Sequence, residues 1–297
     1  MNSSTKNNTL LLKIPVLSAF AAILIAVPLR IYQYIKLIDP TTGFYSEEDF
    51  SVYVLYAILA AVMLISIVLS YLNHKTIQTV DIGKGSKIFL AVSLLMALGT
   101  AIDAVSLITG FVNLVSDAPR YLDRDGLSDY LSAQGGSLML LQGVFAIISA
   151  FYFIISGLSV LNESMKSKFK ILALSPVIWC VFRLLVRFKR TIAFTNVSDL
   201  FIELFAIVFA MVFFLAFAQI RSKIDAENIF WKIFAYGIPT ALLAAVCFLP
   251  RFILLITGQG EMINSLHPIC VSDLTLAVYA GYISISSLKT DRTNSKQ

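Results

Sequence analysis

Three arginines, Arg183, Arg187 and Arg190, fall at i, i+4 and i+7, a spacing that lines three guanidinium groups along one face of a helix. Beyond them Asp199 and Glu203 are also four apart. Folding the two segments into an antiparallel hairpin that turns near 191–197 brings Arg187 level with Asp199, and Arg183 level with Glu203. The same construction farther along sets Arg251 level with Asp273. All of these charges stand in or beside long apolar runs, where an ionised group is costly unless it pairs or lines a pathway. Two chemistries follow. The pairs can lock helices together, with the outermost arginine reaching toward head groups, or surplus arginine can face a vestibule and bind a small anion.

Residue choice bears on that alternative. Of the fourteen cations assigned below to the inner face, twelve are lysine, whereas six of the eight assigned to the outer face are arginine (Arg30, Arg120, Arg124, Arg187, Arg190 and Arg251). Orientation needs only charge. A planar guanidinium fork is instead the group that matches carboxylate and phosphate. Outer acids nevertheless outnumber outer bases, so any basic focus there must be local.

Asp103 stands in the middle of the third apolar run, with Gln142 of the fourth as its expected hydrogen-bonding neighbour. A protonatable carboxylate at that depth can couple solute movement to protons, or it can serve as a neutral packing residue. Tyr32, Tyr34, Tyr45, Tyr53 and Tyr56 gather toward the outer end of the first pair of runs, where an aromatic belt accounts for most of them.

The elements that must hold these residues are membrane helices. The chain of 297 residues is 58% hydrophobic and 14% charged, with a mean hydropathy of +0.83, whereas soluble domains are about 45–50% apolar and about 25% charged. The apolar material is divided into runs near 20 residues, each able to cross a hydrocarbon layer of about 30 Å. Eight spans are expected, at roughly 12–35, 52–72, 88–113, 136–160, 170–188, 199–220, 229–257 and 267–288. The expected architecture is therefore an all-α integral membrane bundle of four antiparallel hairpins forming one transmembrane domain, with kinks at Pro28, Pro176 and Pro250 and no soluble domain. The first run continues through Ile35 without a small-residue cleavage site, which marks it as a span and not a removed signal.

Counting Lys and Arg orients the bundle. With the N-terminus inside, Lys6, Lys13, Lys75, Lys84, Lys87, Lys166, Lys168, Lys170, Arg221, Lys223, Lys232, Lys289, Arg292 and Lys296 face the cytoplasm, fourteen cations against eight outside. Both termini are then cytoplasmic. The net charge of +5 reflects this asymmetry, so the lipid bilayer, and not nucleic acid, is the expected partner.

Val197-Ser198-Asp199-Leu200 recurs as Val271-Ser272-Asp273-Leu274, and Pro176 and Pro250 share the same 74-residue offset. This pattern raises an internal repeat of helix pairs, a common construction in transporter folds. The run Arg30-Ile31-Tyr32-Gln33, with Ile38-Asp39-Pro40-Thr41-Thr42-Gly43-Phe44-Tyr45 after it, resembles uncharacterised multi-span membrane proteins of Gram-positive anaerobes over about 16 residues. That resemblance implies a multi-span membrane fold and carries no known activity.

Several chemistries lack their residues. Cys180, Cys247 and Cys270 form no ligand-spaced pair, and His74 and His267 lie far apart, so neither a disulfide framework nor a metal site is expected. Asp123-Arg124-Asp125-Gly126 fails as a calcium loop, because Tyr121 and Ser132 stand where the terminal carboxylates belong; a solvated turn is expected there. No Gly-x-Ser-x-Gly or other catalytic signature is present, and no cofactor is expected. The readings that remain are a secondary transporter or channel-like protein for a small, anionic solute, a non-transporting sensor or scaffold, and a lipid head-group enzyme.

Overall fold

The structure is a computed structural model that describes residues 13–41, 43–74, 86–119, 124–161, 170–191, 197–222, 224, 226–263 and 269–287, with the side chains of 124, 190–191, 197–199 and 226–228 outside the description. It is an all-α bundle. The helices are α1 (Lys13–Lys36), α2 (Phe50–Leu72), α3 (Lys87–Ser116), α4 (Arg124–Ala133), α5 (Gly136–Leu158), α6 (Ser175–Thr191), α7 (Val197–Arg221), α8 (Ala226–Ile256) and α9 (Val271–Ser286), with a 3₁₀ turn at Ile171–Leu174 leading into α6.

Each expected span coincides with a helix, and among the described residues seven helical segments are long and apolar enough to cross a membrane. The eighth, α9, has 16 residues, about 24 Å at 1.5 Å per residue, and begins inside the bundle, with Ser272 and Asp273 buried in its first turn. Local chemistry sets several starts. The Asp49 carboxylate accepts from the Ser51 N–H at 2.6 Å to open α2, and the same bonding to Ser51 holds its carboxyl below the usual value. Ser86 opens α3 by accepting from the Phe89 N–H at 3.3 Å.

The prolines divide into two kinds. Pro28 and Pro250 lie inside continuous helices, tolerated where neighbouring helices re-satisfy freed backbone groups. Pro176 is the second residue of α6, in the first turn, where its missing N–H has no partner to lose; it starts a helix where a kink was expected. The two prolines of the 74-residue offset thus stand at opposite ends of their helices, while Val197 and Val271 both open one. Residues 124–133 also depart from the sequence reading, forming the short polar helix α4 in place of a turn.

α8 is the central element, packed against α1, α2, α7 and α9. In its most apolar stretch 72% of residues are buried, against 22% in α2, which marks α2 as a lipid-facing helix. From α8 the packing runs through α9, α3, α5, α6 and α7 and back to α8, a closed ring. Its interior is filled by aromatic rings, with Tyr279 edge-on to Phe153 at 5.2 Å and to Phe217 at 6.0 Å between centroids. The α1–α2 hairpin docks outside this ring, where Ala22, Ala26, Leu55 and Leu59 meet Ile238 and Leu242 of α8.

Candidate functional site

The ion pairs lie at one end of the bundle, where α1, α6 and α8 finish and α7 and α9 begin. Arg183 Nη2 stands 2.6 Å from Asp273 Oδ1, and its Nη1 donates to Ser272 Oγ at 3.4 Å. Arg187 Nε lies 3.1 Å from Glu203 Oε2, and Arg251 Nη1 donates to Glu203 Oε1 at 2.6 Å. Glu203 therefore bridges two arginines, one on each neighbouring helix. The side chains of all five are at least nine-tenths buried.

The pairing differs from the hairpin construction. Arg183 meets Asp273 of α9 and not Glu203, while Arg251 meets Glu203 and not Asp273. The reason is topological, since α7 packs between α6 and α8 and presents Glu203 to both. Arg187 pairs with Glu203, and the level expected for it with Asp199 falls on a side chain outside the described residues. The Arg190 side chain lies outside them as well.

Asp103 belongs to the same network through a route the sequence did not give. It faces the hydroxyl and backbone N–H of Ser272, with Arg183 and Asp273 within electrostatic range. A carboxylate on α3 is thus aimed at the N-terminal end of α9, where the helix dipole favours negative charge. Gln142 is buried on α5, and among the described residues no hydrogen bond joins it to Asp103. Asp103 instead stands near Ser272, because α3 packs against α9 as well as α5.

Tyr34 links α1 to the network. Its hydroxyl accepts from Arg251 Nε at 3.0 Å, and the Arg30 guanidinium lies 4.9 Å from its ring centre, a cation–π contact. Arg30, 1% exposed, donates to Gln33 Oε1 at 2.8 Å and to Tyr45 OH at 2.7 Å. Beyond Tyr45 an open depression of about 250 Å³ is bordered by Glu47, Glu48, Asp49 and Tyr53. Its rim is acidic and does not suit an anion.

The sequence reading chose the charged members and missed Gln33, Tyr34 and Ser272. A signal existed for the first two, which follow Arg30 by three and four residues and so share its face. Ser272 adjoins Asp273 but had no marker of depth. Among the described residues no group of three or more His, Cys, Asp and Glu side chains could hold a metal ion. The chain matches no family model, no curated protein and no solved structure.

Proposed function

We propose that the chain is a secondary transporter or channel-like protein for a small solute, placed in the cell membrane with both termini cytoplasmic, and that the charge network is its closed outer gate. One observation carries this reading: buried charges on α6, α7, α8 and α9 are tied to one another at a single end of the bundle. Well-packed apolar residues would hold four helices together at lower cost, because desolvating both partners offsets much of the attraction between them. An ionic closure has a different property. Its partners can separate into water when a polar pathway opens, which an apolar seam does not favour.

The paired state of Arg183, Arg187 and Arg251 supports gating more than it supports an anion vestibule, since each guanidinium already has a carboxylate. Asp103 fits the part of coupling group: it stands where a proton would change the field at the Arg183–Asp273 pair and at the start of α9. A scaffold role is the second reading, favoured by the aromatic packing inside the ring.

Liposomes containing the protein test the choice, with radiolabelled chloride, phosphate and succinate as probes. Protein-dependent flux of at least one probe is expected, raised several-fold by Glu203→Gln and by the milder Tyr34→Phe. Asp103→Asn is expected to remove any dependence on a pH gradient. Permeability equal to that of protein-free liposomes in every variant would leave the scaffold reading in its place.

A further inference from the structure

At the opposite end of the bundle lies a second polar cluster, built from one guanidinium and several hydroxyls. Arg221, the last residue of α7, donates from Nη2 to Ser159 Oγ at 2.7 Å and to Ser156 Oγ at 3.5 Å. Its guanidinium lies 6.0 Å from the centre of the Phe89 ring in the first turn of α3. Tyr152 of α5 faces Arg221 and Ser156. Tyr279 of α9 faces Ser93 of α3 and Ser156. Four helices thus converge on one guanidinium.

Three features separate this cluster from the ion network. First, among the described residues no carboxylate pairs with Arg221. Second, the Tyr152 and Tyr279 hydroxyls and Ser93 Oγ are fully buried and, although they stand near Arg221, Ser156 and one another, none makes a hydrogen bond of good geometry. A buried hydroxyl left unmatched costs about 1–3 kcal/mol, and three in one cluster is a concentration that calls for an acceptor. Third, Arg221 does not extend to the surface as a terminal arginine ordinarily does. Its side chain is half-buried and turned back onto two serines that are 2% and 1% exposed.

We propose that Arg221, with Ser156 and Tyr152, forms a binding site for a phosphate-type oxyanion, Ser159 orienting the guanidinium as an acceptor while its own hydroxyl donates to the Ser156 carbonyl. A tetrahedral oxyanion supplies what the cluster lacks among the described residues, negative charge. A guanidinium is the side chain best shaped to hold one. The N-terminal end of α3, a locus of partial positive charge, lies beside the guanidinium at Phe89. Exposed Lys87 opens α3, and exposed Lys170 precedes the 3₁₀ turn that packs on α7, so the approach is cationic too. Arg221 is half-buried and not sealed from solvent, with the buried Tyr152 hydroxyl nearby. The same chemistry belongs to free phosphate and to a phospholipid head group. The site is separate from the charge network and does not depend on a transport role.

The test uses the full chain in nanodiscs and reads the thermal unfolding midpoint. In neutral phosphatidylcholine discs, inorganic phosphate is titrated; in a parallel series, phosphatidic acid replaces part of the lipid. Stabilisation of the wild type by phosphate identifies a free oxyanion as ligand, and stabilisation by phosphatidic acid alone identifies a head group. In either arm Arg221→Gln is expected to weaken binding about tenfold or more, the effect of losing one charge-assisted contact. Tyr152→Phe is expected to weaken it several-fold without lowering the midpoint of the unliganded protein, since the hydroxyl it removes makes no hydrogen bond of good geometry there. Lys189→Gln, at the other end of the bundle, is expected to change nothing. The proposal is overturned if neither probe stabilises the wild type, or if Arg221→Gln and Tyr152→Phe respond as the wild type does. Should Arg221→Gln not fold, Tyr152→Phe alone decides.

Discussion

Glu203 holds one negative charge between Arg187 at 3.1 Å and Arg251 at 2.6 Å, with its side chain 1% exposed. Removing that charge leaves two buried cations facing a neutral amide. Breaking a buried pair in this way costs about 3–5 kcal/mol, whereas replacing the whole set by apolar groups of similar volume is often neutral. Glu203→Gln is therefore expected to destabilise the fold by about 3–5 kcal/mol in reversible unfolding in mixed micelles. The triple variant Arg187→Met, Glu203→Leu, Arg251→Met should recover most of that loss. A Glu203→Gln loss below about 1 kcal/mol would show that the charge is solvated in the membrane and the network is weaker than its geometry implies. The identities of these charges were legible in the sequence, because ionised residues in apolar runs stand out. Their partners were not. Side-chain pairing depends on which helices become neighbours in space, and nothing local in the chain told Arg183 to choose Asp273 over Glu203.

At the scale of the element, α9 is the least predictable piece and the most constrained. It starts at Val271, with Ser272 and Asp273 buried in its first turn, so it opens within the bundle and not at its surface. Two glycines let it approach its neighbours. A Cβ on Gly99 of α3 would collide with the Thr275 side chain, and one on Gly237 of α8 would collide with Ser284 Oγ. Thr275 is β-branched and cannot easily turn aside within a helix. Gly99→Ala is accordingly expected to destabilise by about 1–3 kcal/mol, the usual cost of overpacking, despite the better helix propensity of alanine. Adding Thr275→Ala should restore much of it, a coupling that a double-mutant cycle would read directly. Additive effects of the two substitutions would mean that α9 can shift without strain. The longer spans were legible because length and apolarity are set by the bilayer itself. Neither the depth of α9 nor the polar helix α4 has such a signature, and the 74-residue offset carried no information about where along a helix each proline would fall.

Among the described residues, six helices close a ring and the α1–α2 hairpin docks outside it on α8. α3 has 30 residues, about 45 Å of helix, enough to bring both ends clear of a hydrocarbon layer of about 30 Å. A cysteine at either end reports the orientation proposed from the Lys and Arg count. In intact cells Ser116→Cys should react with a membrane-impermeant maleimide, and Lys87→Cys only after permeabilisation; the opposite pattern would invert the topology. The central place of α8 has a further consequence, for biogenesis. The α1–α2 hairpin leaves the ribosome before α8, and the surface it docks on begins at Ala226, 154 residues after Leu72. At about 5–20 residues per second the hairpin waits on the order of ten to thirty seconds in the bilayer, with Tyr34 lacking its Arg251 contact throughout. During that interval Arg30 keeps its Gln33 and Tyr45 contacts inside the hairpin, so the group left waiting is the Tyr34 hydroxyl, and synthesis of α8 determines when the α1–α2 hairpin docks.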